Sequence, residues 1–165
     1  MKTLLLLRHA KSSWDEPELG DHERTLNARG RRAAPRIGQL LTDESLVPEQ
    51  VLCSTATRAR ETASLVLEAI GGDIPIEHFE ELYLASPEQL FATVSQHADD
   101  AHDRVLLVAH NPGLEDVVHA VSGRLEPFPT GALARLELDV ASWSSVGPGM
   151  AAKATGLWRP RELDA

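Results

Sequence analysis

The clearest pattern in the sequence is a set of short apolar runs that each end in polar residues. Residues 4–7 are four consecutive leucines, residues 51–54 read VLCS and residues 105–109 read VLLVA. Runs of this length are too short for a helix with one buried face, but they are typical of strands covered on both sides. The pattern therefore predicts three strands at the centre of a parallel sheet.

Segments with helical spacing of apolar residues lie between and after these runs. Asn27 is the predicted N-cap of the first helix, and Ser86 opens a capping-box sequence, SPEQ, before the third. Strands that alternate with helices in this way indicate an α/β fold. The predicted buried stripes are Ala33, Ile37, Leu40 and Leu41; Ala59, Ala63, Val66, Leu67 and Ile70; Leu90, Phe91, Val94 and Ala98; and Leu114, Val117, Val118 and Val121.

The last third of the chain has a different pattern. Apolar and charged residues alternate strictly over residues 134–140, which predicts a strand with one wet face, as at an antiparallel edge. A short strand is predicted at residues 74–76 and a weaker last strand at residues 151–158. We expect a three-layer α/β/α sandwich with a mostly parallel central sheet and an antiparallel edge strand, built as a single domain from residues 1–165.

Composition narrows the class of protein. The formal net charge of -9 argues against nucleic acid or an anionic membrane as a partner, because both favour a basic surface. The single cysteine, Cys53, excludes an internal disulfide and is interpreted as a buried apolar residue in a reducing compartment. No apolar run reaches the length of a secretory signal or of a membrane span. We expect a soluble, cytoplasmic protein.

Candidate chemistry is concentrated where the three central strands end. The first run leads into Arg8 and His9, the second into a helix whose first turn contains Arg58, and the third into His110. In α/β sheets, ligands bind outside the carboxyl ends of the strands, so these side chains should converge. Two arginines and two histidines around one point describe an anion site with a nucleophile, and therefore phosphoryl transfer.

The same reasoning excludes several other kinds of site. Cys53 and Arg58 are separated by four residues, whereas a cysteine-dependent phosphatase loop needs five. The chain has no Walker loop or carboxylate cluster for magnesium, and the acidic segment at residues 97–103 lacks metal-ligand spacing, so no cofactor or metal is expected. The arginines at positions 29, 31, 32 and 36 are interpreted as a solvated helix face.

The polar segment at residues 12–29 is a long loop directly after the candidate nucleophile, and such loops are often functional. We expect it to form a rim over the site. Arg24 and Thr130 are candidate substrate contacts on that rim, and Glu81 lies in a linker that could reach the same crevice.

Taken together, the motifs RHAKSSW at residues 8–14, STATRARET at 54–62 and AHNP at 109–112 resemble the histidine phosphatase superfamily, which has the phosphoglycerate-mutase-like fold. Within it, the short chain, the RHAK opening, the segment at residues 81–83 and the loop containing Thr130 resemble the SixA-type phosphohistidine phosphatases. The resemblance implies that His9 is phosphorylated and then hydrolysed, while Arg8, Arg58 and His110 hold the phosphoryl oxygens.

Two departures from the superfamily pattern and one absence shape the functional interpretation. Ala10 replaces the usual glycine, a change common in the SixA branch, and Asp15 replaces the asparagine common in mutases, which argues against mutase activity. The inserted segment that supplies a carboxylate proton donor in larger relatives is absent, so Glu81 is the candidate donor. An alcohol leaving group needs that proton, whereas an imidazole leaves readily without it.

Three functions remain open from the sequence. The first is a metal-independent phosphatase of phosphohistidine in a protein, the second is a phosphatase of small phosphomonoesters, and the third is a non-catalytic phosphate-binding or interaction module. A module that only binds would not need the nucleophile, so a phosphorylated protein or a small phosphate compound is expected as substrate. The sequence does not predict the oligomeric state.

Overall fold

A computed structural model describes residues 1–163 of the chain. One mixed sheet of six strands is combined with five α-helices. The strands are β1 (Lys2–Arg8), β2 (Gln50–Ser54), β3 (Ile76–Phe79), β4 (Arg104–Ala109), β5 (Leu133–Leu138) and β6 (Ala152–Trp158). The helices are α1 (Ala28–Asp43), α2 (Thr57–Ile70), α3 (Pro87–His97), α4 (Gly113–Ser122) and α5 (Pro160–Leu163), and single 3-10 turns occur at Asp21–Glu23, Glu80–Leu82 and Trp143–Ser145.

The strand order is β3-β2-β4-β1-β5-β6, and the first four strands run parallel. β1 is central because it pairs with β4 on one side and with β5 on the other. The α/β class and the mostly parallel sheet are therefore confirmed. The antiparallel strand, β5, lies one position inside the edge, because β6 pairs with its outer side and covers it.

Alternation along β1 divides the core into two apolar clusters, as the period of two in a strand requires. Leu4 and Leu6 face the cluster that contains residues of α3 and α4, and Leu5 and Leu7 face the cluster that contains residues of α1 and α2. All four leucines are buried, which explains why the run shows no polar positions. The result is a three-layer sandwich.

The predicted buried stripe of α1 is wrong by one position. Ala34, not Ala33, is buried, and the stripe also includes two glycines. Gly38 lies against α2, where an added Cβ would come within 2.6 Å of the Val66 carbonyl oxygen. Gly30 lies closer still to the chain after β1, with 2.2 Å from an added Cβ to the Lys11 carbonyl oxygen. A prediction from the spacing of apolar side chains does not find this face, because its closest contacts are made by glycines.

The third strand also lies later than expected. It was predicted at residues 74–76, but it begins at Ile76 and continues to Phe79. Pro75 has no N–H group for the ladder, and only its carbonyl oxygen is used, as an acceptor from the Val51 N–H. The proline therefore precedes the strand.

The parallel part of the sheet brings three strand ends to one edge. In the register of the ladders, Arg8 lies opposite Ala109 and Cys53 lies opposite Val108, so β2, β4 and β1 end at the same level. Each strand is followed within a few residues by one of the candidate groups, His9, Arg58 and His110. The fold therefore positions these groups around a common point.

Candidate active site

A cavity of about 430 Å³ opens at this edge of the sheet. Every predicted site residue except Glu81 lines it. Larger cavities occur elsewhere, such as one of about 700 Å³ beside α2 and β3, but the paired histidines and arginines belong to this one. Its lining consists of Arg8, His9, Lys11, Ser12, Trp14, Asp21, Arg24, Arg58, Leu84, His110, Asn111 and Thr130.

The ring of His9 is held in an orientation that suits a nucleophile. Its Nδ1 lies 2.8 Å from the carbonyl oxygen of Ala10, which can only accept, so Nδ1 carries the hydrogen and Nε2 keeps its lone pair. The Nε–H of Arg58 points at that lone pair from 3.3 Å. Burial lowers the pKa of His9 to about 3, with a smaller contribution from the neighbouring arginines, so the ring is neutral at neutral pH.

His110 lies beside His9, with 5.2 Å between the ring centroids. Its Nε2 is 2.8 Å from the hydroxyl of Ser54, which also accepts the Ala56 N–H. When the Ser54 hydroxyl donates to Nε2, the ring hydrogen is on Nδ1, which is buried and has no partner among the described residues. Burial lowers the pKa of His110 to about 3, and the charges of His9 and Arg58 add to the effect.

A second buried donor at the site also lacks a partner. The Nε of Arg8 makes no hydrogen bond within the described chain, although its Nη1 donates to the Phe128 carbonyl oxygen at 3.2 Å. A buried donor without a partner destabilises a protein by about 1–3 kcal/mol. Arg8 therefore presents an unsatisfied Nε–H donor, and His110 presents a second buried nitrogen without a partner in residues 1–163, which is a donor when Ser54 donates to Nε2. A phosphoryl group with its several acceptor oxygens would complete this arrangement.

Arg58 is bound by a residue that the sequence reasoning did not select. Its Nη1 donates to the main-chain oxygen of Asp21 at 2.6 Å, and its Nη2 donates to the Asp21 carboxylate at 3.0 Å. Arg58 lies in the first turn of α2, where a cation opposes the helix dipole and needs compensation. The structure shows that Asp21 supplies part of that compensation.

Tyr83 is the second residue that was missed. Its hydroxyl donates to the Asp21 carboxylate, and this hydrogen bond is the largest cause that lowers the pKa of Asp21 to about 2. Arg58 and Arg24 lower it further. Asp21 is therefore ionised at neutral pH. The sequence offered only an indirect signal for these two residues. A buried arginine needs an anionic partner, but nothing in the local sequence identifies Asp21 as that partner or Tyr83 as its neighbour.

The rim predicted from the long loop is present. Arg24 donates to the Ser12 hydroxyl at 2.6 Å and stacks on Trp14, with 3.7 Å from its guanidinium carbon to the ring centroid. Trp14 is 73% exposed although it lines the cavity. Thr130 also lines the cavity, so both predicted rim residues lie at it.

Glu81 does not lie at the cavity. It is exposed on the 3-10 turn Glu80–Leu82, which directs Leu82 into the core, and the chain reaches the site only at Tyr83 and Leu84. Leu84 has a left-handed backbone conformation, with φ of 50°, at the cavity wall. The position expected for a carboxylate donor is therefore occupied by a phenol and an apolar side chain.

The other groups considered as candidate sites, Cys53 and the acidic segment at residues 97–103, do not line the active-site cavity. No group of three or more metal-binding side chains occurs in residues 1–163. Cys53 is buried, and burial raises the pKa of its thiol to about 12, which makes it a poor nucleophile. None of the helices in this part of the chain is long and apolar enough to cross a membrane.

Comparison with known proteins identifies the class to which this site belongs. The sequence pattern of the histidine phosphatase superfamily (branch 1) matches residues 4–84. A structure described as a candidate phosphohistidine phosphatase, SixA, from Agrobacterium tumefaciens superposes with a TM-score of 0.81, at 30% identity over 96% of this chain and 98% of that one. The chain belongs to the histidine phosphatase superfamily, and within it the resemblance to the SixA type is confirmed.

Two further relatives match most of the chain and are described as uncharacterised. An uncharacterised protein of Mycobacterium tuberculosis is 36% identical over 157 residues, which cover 88% of this chain and 95% of that protein. An uncharacterised chloroplastic protein of Arabidopsis thaliana is 30% identical over 160 residues, covering 90% of this chain and 73% of that protein. The family membership supports a phosphatase with a phosphate-containing substrate.

Proposed function

We propose that the protein is a metal-independent phosphohistidine phosphatase that acts on a phosphorylated protein through a covalent phospho-His9 intermediate. The observation that carries the proposal is the set of groups around the Nε2 lone pair of His9. That nitrogen is unprotonated, and it lies beside Arg58 and close to two residues, Arg8 and His110, that each have a buried ring or guanidinium nitrogen without a partner among the described residues.

In the first step, His9 Nε2 attacks phosphorus and the P–N bond of the substrate breaks. The new bond makes the His9 ring cationic, and the Ala10 carbonyl continues to accept the Nδ1 hydrogen. Arg8, Arg58 and His110 donate to the phosphoryl oxygens, where charge develops. In the second step, water attacks phosphorus, its proton leaves to solvent, and neutral His9 and inorganic phosphate are released.

The electrostatics of the cavity favour phosphohistidine over an alkyl phosphate. Among the residues that line the cavity, Asp21 is the sole carboxylate, and its pKa of about 2 prevents it from donating a proton at neutral pH. A phosphohistidine ring protonated on its free nitrogen leaves as neutral imidazole, whereas an alkoxide needs a proton from the enzyme. A site without an available carboxylic acid therefore matches the substrate that does not require one.

The intermediate can be tested by intact mass after a short pulse of a reactive phosphoramidate without added metal. We expect a single phosphoryl adduct on the wild type, which disappears with release of phosphate, and no adduct on His9→Ala. The matched control is His119→Ala, because His119 is exposed on α4 and does not line the cavity. The proposal is contradicted if His9→Ala is labelled to the same extent as the wild type, or if the folded wild type is not labelled at all.

Substrate class needs a separate comparison. We expect kcat/KM for a phosphohistidine peptide to exceed that for a simple alkyl phosphate by at least about 10²-fold, since general-acid assistance contributes on that scale. Comparable values would favour the phosphatase of small phosphomonoesters. Stoichiometric phosphate binding without turnover of either substrate would favour the non-catalytic module.

A further inference from the structure

A second cavity, of about 240 Å³, adjoins the active-site cavity and shares Lys11 and Thr130 with it. Five of the side chains that line it are cationic, and they come from three separate segments: the chain after β1, helix α1 and helix α5. We call this cavity the basic groove. Its lining is Lys11, Arg29, Arg32, Ala33, Arg36, Pro129, Thr130, Pro160 and Arg161.

Four of the five cationic side chains in the basic groove are uncompensated within the described chain, and the fifth, Arg36, has a contact of its own. Within residues 1–163, the side chains of Lys11, Arg29, Arg32 and Arg161 make no ion pair and no hydrogen bond. The first turn of α1 contains no acidic residue. The nearest carboxylate in sequence to Arg161 is Glu162, which pairs with Arg159 instead.

This accumulation of positive charge is unfavourable in the free protein. Arg29 and Arg32 lie in the first turns of α1, where cations oppose the helix dipole, and they are three residues apart on the same face, where like charges repel. The chain as a whole carries a formal charge of -9, so acidic partners were available in its composition. A local cluster of cations on an acidic protein therefore indicates that an anionic group from outside compensates it.

The dimensions of the basic groove favour a polypeptide over a single phosphate. The arginines that line it extend along α1 from position 29 to position 36, a rise of roughly 10 Å for a helix. An extended peptide covers that length in about three residues. Because the groove continues into the cavity of His9, a peptide whose phosphohistidine enters that cavity would place its neighbouring residues among these cations.

We propose that the basic groove binds an acidic segment of the polypeptide substrate, next in sequence to the phosphohistidine that reacts with His9. The inference rests on the proposed function and adds a substrate preference to it. The solvated helix face expected from the sequence becomes, in this interpretation, a recognition surface.

Binding can be measured without turnover. The probe is a fluorescent unphosphorylated peptide with three aspartates beside a central histidine, compared by anisotropy with the same peptide carrying asparagines. At low ionic strength we expect about tenfold tighter binding of the aspartate peptide, since several exposed ion pairs of modest strength contribute, and we expect the preference to decline as salt is added.

Charge reversal assigns the preference to the groove. The double variant Arg29→Glu/Arg32→Glu should bind the two peptides equally, and Arg161→Glu provides an independent variant on another element. Arg124→Glu is the matched control, because Arg124 is an exposed arginine that lines neither the groove nor the active-site cavity. Equal binding of both peptides by the wild type, or a preference that survives both groove variants, overturns the proposal.

Turnover distinguishes this proposal from the proposed function itself. For the phosphorylated forms of the two peptides, we expect the ratio of kcat/KM to favour the aspartate peptide about tenfold in the wild type and in Arg124→Glu, but not in the groove variants. If neither peptide is hydrolysed and the anisotropy preference remains, the phosphohistidine proposal fails and the groove assignment stands. If both are hydrolysed at equal rates, the groove assignment fails alone.

Discussion

The floor and the rim of the active-site cavity are built in different ways. The floor consists of Arg8, His9, Arg58 and His110, which lie at or just after the ends of strands β1, β2 and β4. Of these, His9, Arg58 and His110 are only 5%, 2% and 2% exposed. Most of the rim comes from the loop between β1 and α1, where Trp14 and Asp21 lie at the surface, and Thr130 adds to it from the loop before β5. The floor is therefore positioned by the sheet, whereas the rim is positioned by a few side-chain contacts.

The two regions also differ in how their charges are satisfied. At the floor, Arg8 and His110 each have a buried nitrogen without a partner in the described chain, and the positive charge of Arg8 and Arg58 prepares the free protein for an anion. At the rim, Asp21 is bonded to Arg58, Arg24 and Tyr83. We infer that the floor supplies the chemistry, and that the rim stabilises the free site and controls access to it. The following predictions test that division.

The largest effect is expected at the floor. Arg58→Ala removes the guanidinium beside His9 Nε2 and should reduce kcat/KM by about 10²–10³-fold, the scale seen when one donor to a developing oxyanion is lost. Arg60→Ala, two residues along the same helix and exposed, is the matched control and should stay within twofold. Steady-state kinetics with a phosphoramidate measure both. An equal, small loss in the two variants would contradict the assignment of Arg58 to the floor.

A smaller effect is expected from Ser54, which acts through His110. Ser54→Ala removes the hydroxyl that holds Nε2, so the hydrogen is no longer confined to Nδ1, and kcat should decrease about tenfold. The decisive readout is the nitrogen NMR spectrum of His110, which should change from one tautomer to a mixture. Ser64→Ala, on the exposed side of α2, is the control. A lower activity with an unchanged His110 tautomer would indicate only a structural role.

The buried histidines of the floor should also make stability depend on pH. His9 and His110 have pKa values of about 3 in the folded chain, below the ordinary 6.5, so the unfolded state binds more protons between pH 6.5 and 3. Stability should therefore decrease on acidification through this range, by up to about 1.4 kcal/mol per pH unit for each ring, and show no such dependence above pH 7.

Urea unfolding at pH 7, 6, 5 and 4 measures this dependence. His9→Asn should reduce the slope between pH 6 and 4 by roughly half, because one of the two neutral rings is removed. His119→Asn, which alters an exposed histidine, should retain the wild-type slope. A slope of zero in the wild type would show that the floor tolerates charged histidines.

The contrast between floor and rim also explains what could be predicted from the sequence. The strands β1, β2 and β4 were predicted because apolar runs bounded by polar residues are local signals, and their ends placed His9, Arg58 and His110 together. The wrong positions, in β3 and along α1, arose where a proline or a glycine made the contact instead of an apolar side chain.

The rim could not be predicted in the same way. Asp21 contacts Arg58, 37 residues away, and Tyr83, 62 residues away, through a loop without periodicity. The same limitation explains why Glu81 was wrongly predicted to lie at the cavity. The sequence does not show which residue of a short turn faces the cavity. The structure replaces that predicted carboxylate with Tyr83 and Leu84.

The smallest effect on activity is expected from Asp21. Asp21→Asn keeps the shape of the side chain but removes its charge, which weakens the bonds to Arg58 and Arg24 and leaves the floor in place. Since Asp21 is ionised at neutral pH, it donates no proton, and kcat for a phosphohistidine peptide should change less than threefold. Tyr83→Phe is the matched variant, because it removes the hydrogen bond that contributes most to the low pKa of Asp21 and should allow that pKa to rise.

A loss of 10²-fold in Asp21→Asn that is larger for alkyl phosphates than for phosphohistidine would make Asp21 a proton donor. The rim would then take part in the chemistry, and the division between the two regions would fail.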